Sequence, residues 1–218
     1  MHQEILKGLP DDIKLVAVSK TKAVSDIRRV YDVGQRIFGE NRCEEMRKKF
    51  EELPKDIDWH MIGHLQSRQV KIIALFVKLI HSVDSLKLLQ VVNKEAAKHN
   101  RIIDCLLQIR IAKEETKTGL SIEEAEELLS CGDFKNLKNI RIIGVMGMAT
   151  FTQDEDIVRG EFKQLKKYFE RLKEEYFASD DNFKEISAGM SGDYKIAINE
   201  GSTIIRIGSL IFGRRCVK

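Results

Sequence analysis

The sequence predicts an α/β protein, a single (β/α)8 TIM-type barrel, on three observations. Short β-branched runs alternate with longer helical patterns from one end of the chain to the other. The runs are continuously apolar, the pattern of strands buried on both faces of a parallel sheet. The alternation repeats eight times in 218 residues, which suits a closed barrel better than an open doubly wound sheet with a glycine-rich first turn. No G-x-G-x-x-G follows Val18.

The elements follow in order. Residues 15–18 form a buried strand, and Ile27, Val30 and Tyr31 lie at helical spacing behind Ser25, a residue type suited to an N-cap. Residues 36–38 make a second strand, and 43–53 a charged helix stopped by Pro54. Strand three covers 59–62, with a helix over 66–77. Strand four covers 79–83, with Ser85 capping a helix through Lys98. Strand five spans 102–111; its helix opens at Ser121, where Glu124 completes a capping box. Residues 140–146 are strand six. Phe162, Leu165, Phe169, Leu172 and Tyr176 mark a long amphipathic helix. Strand seven at 184–187, a helix from about Ser191 and strand eight at 203–207 complete the set. With only Pro10 and Pro54 and no Gly/Ser/Pro-rich linker, residues 1–218 read as one domain.

Composition narrows the function. Lys and Arg total 37 against 34 Asp and Glu, a formal charge of +3 with interspersed signs, so no nucleic-acid partner is called for. The longest apolar run, residues 72–77, is closed by Lys71 and Lys78, and the N-terminus carries no basic and apolar leader, so a soluble, unprocessed, cytoplasmic protein with no membrane partner is expected. Cys43, Cys105, Cys131 and Cys216 lie far apart with no C-x-x-C pair, which points to reduced thiols rather than a zinc site or disulfide framework.

Three constellations carry chemistry. Lys20 directly follows an apolar strand, at the catalytic end of a barrel, where low-dielectric walls favour a neutral amine able to form an imine with an aldehyde; a solvated loop lysine is the plainer alternative. Lys22, two residues on, reads as solvent-facing. The turns after strands seven and eight, with Gly189, Ser191, Gly208 and Ser209, form a phosphate cup where barrels commonly bind phosphate, unless the glycines merely make tight turns. Arg206, inside an apolar strand, must face a polar partner in the barrel mouth. His60 and His64 are spaced i, i+4 but lack the glutamate of H-E-x-x-H, so no metal is expected and a hydrogen-bonding loop is. The charge run 44–52 and the charged face of the helix from Lys163 to Glu175 read as solvated faces.

Leu15-Val-Ala-Val-Ser-Lys20, Phe38-Gly-Glu-Asn41, His60-Met-Ile-Gly63-His-Leu-Gln66, Gly144-Val-Met-Gly-Met148, Ser187-Ala-Gly-Met-Ser191 and Arg206-Ile-Gly208-Ser-Leu-Ile-Phe-Gly213 occur here in one order. Together they resemble the pyridoxal phosphate homeostasis protein family, single-domain relatives of the alanine racemase barrel, over nearly the whole chain. The resemblance implies pyridoxal 5'-phosphate (PLP) as cofactor, with Lys20 as the internal-aldimine lysine. It implies that Gly189, Ser191, Gly208 and Ser209 hold the phosphate, that Arg206 faces the pyridine nitrogen and that Asn41 is a peripheral pocket contact. Two departures stand out: the segment before strand one is only about a dozen residues, and Ser67-Arg68-Gln69 replaces a Ser-Asn-Lys-like run.

An arginine opposite the ring cannot accept its proton, so the electron sink is weak. Racemisation also needs a second acid/base group, which alanine racemase-like enzymes take from a partner subunit with an added β-domain, and eight βα units consume this chain. The resemblance therefore implies a monomeric, non-catalytic PLP carrier, with apo PLP-dependent enzymes as partners. A weak PLP-dependent amino-acid racemase or decarboxylase is the main alternative, and a cofactor-free Schiff-base aldolase using Lys20 the third.

Overall fold

Each of the eight apolar runs forms a strand of one parallel sheet. In the computed structural model, which describes residues 8–112 and 118–213, the strands are β1 (Lys14–Val18), β2 (Ile37–Glu40), β3 (Asp58–Met61), β4 (Leu79–Val83), β5 (Ile103–Gln108), β6 (Ile140–Met146), β7 (Glu185–Ser187) and β8 (Ile204–Ile207). They pair in chain order, and β8 pairs back onto β1, with Val16 opposite Arg206 and Ala17 opposite Ile207, closing the barrel. Around it run α1 (Val24–Asp32), α2 (Cys43–Glu52), α3 (Val70–Ile73), α4 (Leu86–Ala97), α5 (Ile122–Ser130), α6 (Gly132–Lys135), α7 (Glu155–Tyr176), α8 (Tyr194–Asn199) and α9 (Ser209–Phe212).

Alternate side chains of a strand face opposite sides, and both sides are buried here. Val16, Leu79, Leu106, Met146 and Ile204 pack on one another inside the barrel. Phe38, Trp59, Ile80, Cys105 and Ile186 share the larger cluster with Ile27, Met46, Leu89 and Leu165 of the surrounding helices. Cys43 and Cys105 are buried single thiols; burial pushes the Cys43 thiol up to about 11 and raises that of Cys105 further. Among the described residues no helix is long and apolar enough to cross a membrane. Cys216 lies outside the described residues.

Caps act as the sequence predicts at two helices: Ser85 accepts from Leu88 N–H, and Ser121 with Glu124 makes a reciprocal capping box. Ser25 does not cap. The helix starts two residues earlier than a Ser25 cap would set it, behind Ala23, which provides no side-chain cap. The expected helix over 66–77 is instead a 3-10 turn (Ser67–Gln69) running into the single turn of α3. Helix formation stops after Ile73 even though Val70, Ile72 and Ile73 lie in its one turn, and beyond it Phe76 stacks on Phe50 of α2 with centroids 4.0 Å apart. The strand expected over 102–111 is shorter at both ends, Ile102 being exposed. The helix expected from Ser191 begins at Tyr194, and the turn α6 was not anticipated.

Phe183, fully buried, is stacked between Phe169 and Phe177 with centroids 5.0 and 4.2 Å away. It fastens the C-terminal end of α7 to the approach to β7. Phe183→Ala is expected to cost about 3–5 kcal/mol, measured by urea unfolding.

Candidate functional site

The loops leaving β1, β2, β7 and β8 meet at the C-terminal mouth of the barrel, the end where this architecture places its sites. There, Lys20, Asn41, Ser191, Arg206, Gly208 and Ser209 line one cavity of ≈ 490 Å³, with Ile62, Met148, Phe151 and Met190 as its apolar part. Six of the seven residues singled out in the sequence are thus brought together by closure. The seventh, Gly189, is not among the lining residues. It sits behind them at φ +92°, where an added Cβ would stand 2.7 Å from Ala197 Cβ and 2.9 Å from Tyr194 Cα. Its carbonyl accepts from the backbone N–H of Arg206 at 2.9 Å. Gly189 thus lets α8 press on the strand end and holds β8 in place.

The Lys20 backbone is pinned on both sides. Ser19 Oγ donates to Glu40 Oε1 at 2.5 Å, while Lys49 Nζ donates to Ser19 O at 2.8 Å and to Glu40 Oε1 at 2.8 Å. On the far side, Thr21 N–H donates to Glu45 Oε1 at 2.6 Å. Thr21 has φ +66°, a conformation unfavourable for a β-branched residue, so this bond helps hold a strained turn. Glu40 and Lys49 are both buried. Burial raises the Glu40 carboxyl above its ordinary value despite Lys49 and Ser19. Lys49 belongs to the run expected to be solvated; that expectation is corrected because α2 packs over the end of β2 and turns Lys49 inward. Lys22 is likewise not simply solvent-facing: its Nζ donates to Phe212 O at 2.9 Å and Gly213 O at 3.3 Å, tying the loop after β1 to α9.

Arg206 is held from inside. Nη1 donates to Ser187 O at 2.8 Å and Ser187 Oγ at 2.5 Å, and Nη2 donates to Gly147 O at 3.1 Å. Burial lowers its guanidinium to about 10, so it remains a cation at neutral pH. His81 Nδ1 lies 2.9 Å from Ser187 Oγ, and His81 Nε2 lies 2.9 Å from His60 Nδ1. His60 therefore points into the barrel, whereas His64 is exposed and pairs with Asp84 Oδ2 at 3.3 Å. The two histidines diverge, and among the described residues no group of three metal-ligating side chains exists.

Asn41 is positioned by a close approach. A Cβ on Gly63 would fall 2.6 Å from Asn41 O, so only glycine lets the end of β3 lie against it. Asn41 Oδ1 is buried and has no hydrogen-bond partner among the described residues. An unpaired buried acceptor on a residue that lines the cavity fits a ligand that brings a donor. The partners Glu40, Glu45, Lys49 and His81 escaped sequence reasoning. The one signal was polarity inside apolar runs, Glu40 after Phe38-Gly and His81 after Leu79-Ile; their partners lie on other elements.

A closed eight-stranded parallel barrel with a lysine after its first strand and an arginine in its last defines a class, which the family model for the alanine racemase N-terminal domain matches over residues 3–216. The pyridoxal phosphate homeostasis protein of Aquifex aeolicus is 38% identical over 203 residues, 93% of this chain and 87% of that one. The protein of the same name from Synechocystis is 37% identical over 220 residues, 99% and 97% of the two chains. Among solved structures, PipY of Synechococcus elongatus without PLP superposes with a TM-score of 0.90 at 31% identity, covering 97% of each chain, and with PLP bound at 0.86 and 30% over the same shares. Alanine racemase of Clostridium difficile, at 16% identity and a TM-score of 0.73 over 100% of this chain and 56% of its own, shares the fold. The chain belongs to the pyridoxal phosphate homeostasis protein family, within the alanine racemase N-terminal domain class.

Two outcomes follow from the charges. Lys49→Met strands the Glu40 carboxylate and is expected to cost about 3–5 kcal/mol, whereas the double change Lys49→Met with Glu40→Leu costs much less, both read by urea unfolding. Burial holds His60 down at about 3 and His81 also well below its ordinary value. The unfolded chain therefore binds more protons than the folded one below about pH 6.5, and stability is lost as pH falls from there towards 3. The contribution is up to about 1.4 kcal/mol per pH unit for each histidine. Urea midpoints between pH 7 and 5 are expected to fall, and His60→Asn to flatten that slope.

Proposed function

We propose that this protein binds PLP in the cavity at the barrel mouth and serves PLP homeostasis as a carrier. The observation that carries the reading is the convergence of Lys20, the Arg206 cation, Ser191, Gly208 and Ser209 on one cavity that Asn41, with its unpaired Oδ1, also lines. These groups match the chemistry of the cofactor. Lys20 would supply the amine, Ser191 with the Gly208–Ser209 turn would hold the phosphate, Arg206 would face the ring nitrogen, and Asn41 Oδ1 would accept from a ligand hydroxyl. Gly189 supports this cup from behind. Bound there, the cofactor supplies an aldehyde that condenses reversibly with an amine and a ring that withdraws electrons. The names of the relatives, and the PLP-bound PipY structure, support the same ligand.

Carriage is favoured over turnover by how the remaining charged groups are engaged. Besides Lys20 and Arg206, the described lining residues include two ionisable side chains, Lys22 and Asp193. Lys22 is bonded to two carbonyls of the Phe212–Gly213 turn, and Asp193 Oδ1 accepts from Met190 N–H. Neither is poised as a second acid/base group for racemisation or decarboxylation. Arg206, a cation with no acceptor, leaves the ring nitrogen unprotonated and the electron sink weak. The carrier would act as a cytoplasmic monomer and pass its cargo to apo PLP-dependent enzymes.

Protein loaded with PLP is expected to show a visible absorption band that borohydride bleaches while adding a fixed mass to the Lys20 peptide; Lys20→Ala is expected to lose both. Incubation with racemisable amino acids is expected to give no appreciable turnover. Robust turnover dependent on Lys20 would establish the racemase alternative instead, and a protein that stays colourless with added PLP would favour the cofactor-free aldolase.

A further inference from the structure

The barrel interior contains a line of polar side chains that the proposed PLP site does not itself require. Arg206 shares the inward face of β8 with Ile204, while Ser187 of β7, His81 of β4 and His60 of β3 meet it in turn. The links are 2.5 Å from Arg206 Nη1 to Ser187 Oγ, 2.9 Å from Ser187 Oγ to His81 Nδ1, and 2.9 Å from His81 Nε2 to His60 Nδ1. All four side chains are buried.

Elementary donor and acceptor counting gives this line a direction. A guanidinium carries no acceptor, so its bond to Ser187 uses a hydroxyl lone pair. The single hydroxyl hydrogen must then find another acceptor, and among the described residues the one within reach is His81 Nδ1. His81 Nδ1 is therefore bare and its Nε2 carries the proton, which it donates to His60 Nδ1. The reverse direction would leave the buried Ser187 hydroxyl hydrogen without an acceptor.

We infer that Arg206, Ser187, His81 and His60 form a one-way hydrogen-bond chain with both imidazoles neutral and protonated on Nε2, and that Ser187 and His81 are positioning residues that aim Arg206 into the cavity. Ser187 takes both Nη1 hydrogens, one on its carbonyl and one on its hydroxyl, and Gly147 O takes one on Nη2. This leaves Nε–H and the second Nη2–H without partners among the described residues, on a side chain that lines the cavity. His81 keeps the Ser187 hydroxyl turned so that its lone pair meets the guanidinium. The low proton affinities of both histidines, set first by burial and reinforced by Lys14 and Lys78 for His60 and by His60 and then Arg206 for His81, agree with the neutral forms.

The chain itself is independent of any ligand; its aiming role rests on the PLP reading, and the experiment separates the two. In apo-protein carrying nitrogen-labelled histidine at pH 7, NMR is expected to show His60 and His81, assigned through the signals lost in His60→Asn and His81→Asn, as neutral Nε2–H tautomers. Ser187→Ala is expected to move the His81 Nδ1 resonance away from its hydrogen-bonded position. A charged or Nδ1-protonated His81, or His81 resonances indifferent to Ser187→Ala, overturns the chain. In PLP titrations followed by the visible band, Ser187→Ala and His81→Leu are expected to weaken binding about tenfold and shift the band, while the borohydride-fixed Lys20 adduct still forms. His81→Asn, whose amide oxygen can accept from Ser187, is expected to restore affinity. Unchanged affinity and band position in Ser187→Ala overturn the aiming role. Circular dichroism checks each variant, and if His81→Leu does not fold, Ser187→Ala decides. Wild-type protein that binds no PLP would overturn the cofactor reading and the aiming role, while the NMR result still judges the chain.

Discussion

The closure of β8 onto β1 determines where every residue of the candidate site falls. That pairing, with Val16 opposite Arg206 and Ala17 opposite Ile207, brings the first and last strands side by side although most of the chain lies between them. It sets the Lys20 loop beside the Gly208–Ser209 turn, and Lys22 fastens the two through the Phe212 and Gly213 carbonyls. An open sheet with the same strands would leave the lysine on one edge and the arginine on the other. Parallel closure also sends all strand exits to one end, which is why loops so distant in sequence share one cavity.

Around that closure, two polar networks stiffen the site from opposite sides of the sheet. Outside it, beneath α2, Lys49, Glu40 and Ser19 hold the backbone leading to Lys20, and Glu45 takes the strained Thr21 N–H. Inside it, Ser187 and Gly147 hold Arg206, with the two histidines behind them. Burying such groups is costly, and an apolar packing of equal volume could be as stable. Their effect is geometric: a lysine or arginine carries several rotatable bonds, and each bond to a fixed partner removes orientations that cannot serve a ligand.

Much of the fold was legible because it depends on local rules. β6 begins and ends where its apolar run does, and Ser85, Ser121 and Glu124 cap as their spacing predicts. Misreadings occurred where packing overrode local preference. Residues 66–77 hold several apolar side chains at helical spacing, yet the segment gives only short turns, and the chain beyond them packs Phe76 onto Phe50. Lys49 reads as one more charge on a solvated helix, and only the placement of Glu40 makes it a buried partner. His60 and His64 invite comparison as a pair, but a strand ends between them, so one faces the barrel interior and the other the surface.

By itself the sequence determined the strand–helix rhythm, the class of the barrel, and the identities of the lysine, the arginine and the glycine-bearing turns at the ends of particular strands. These are properties of short windows, governed by periodicity, capping and the cost of placing charge in an apolar strand. Only the tertiary structure decided that Asn41 has an unpaired buried acceptor, that Gly189 stands behind the cavity rather than in its wall, and that His81 continues the contact between Arg206 and Ser187. Each depends on distances between strands that are far apart in sequence, and no local pattern encodes them; they emerge when the barrel closes in one register.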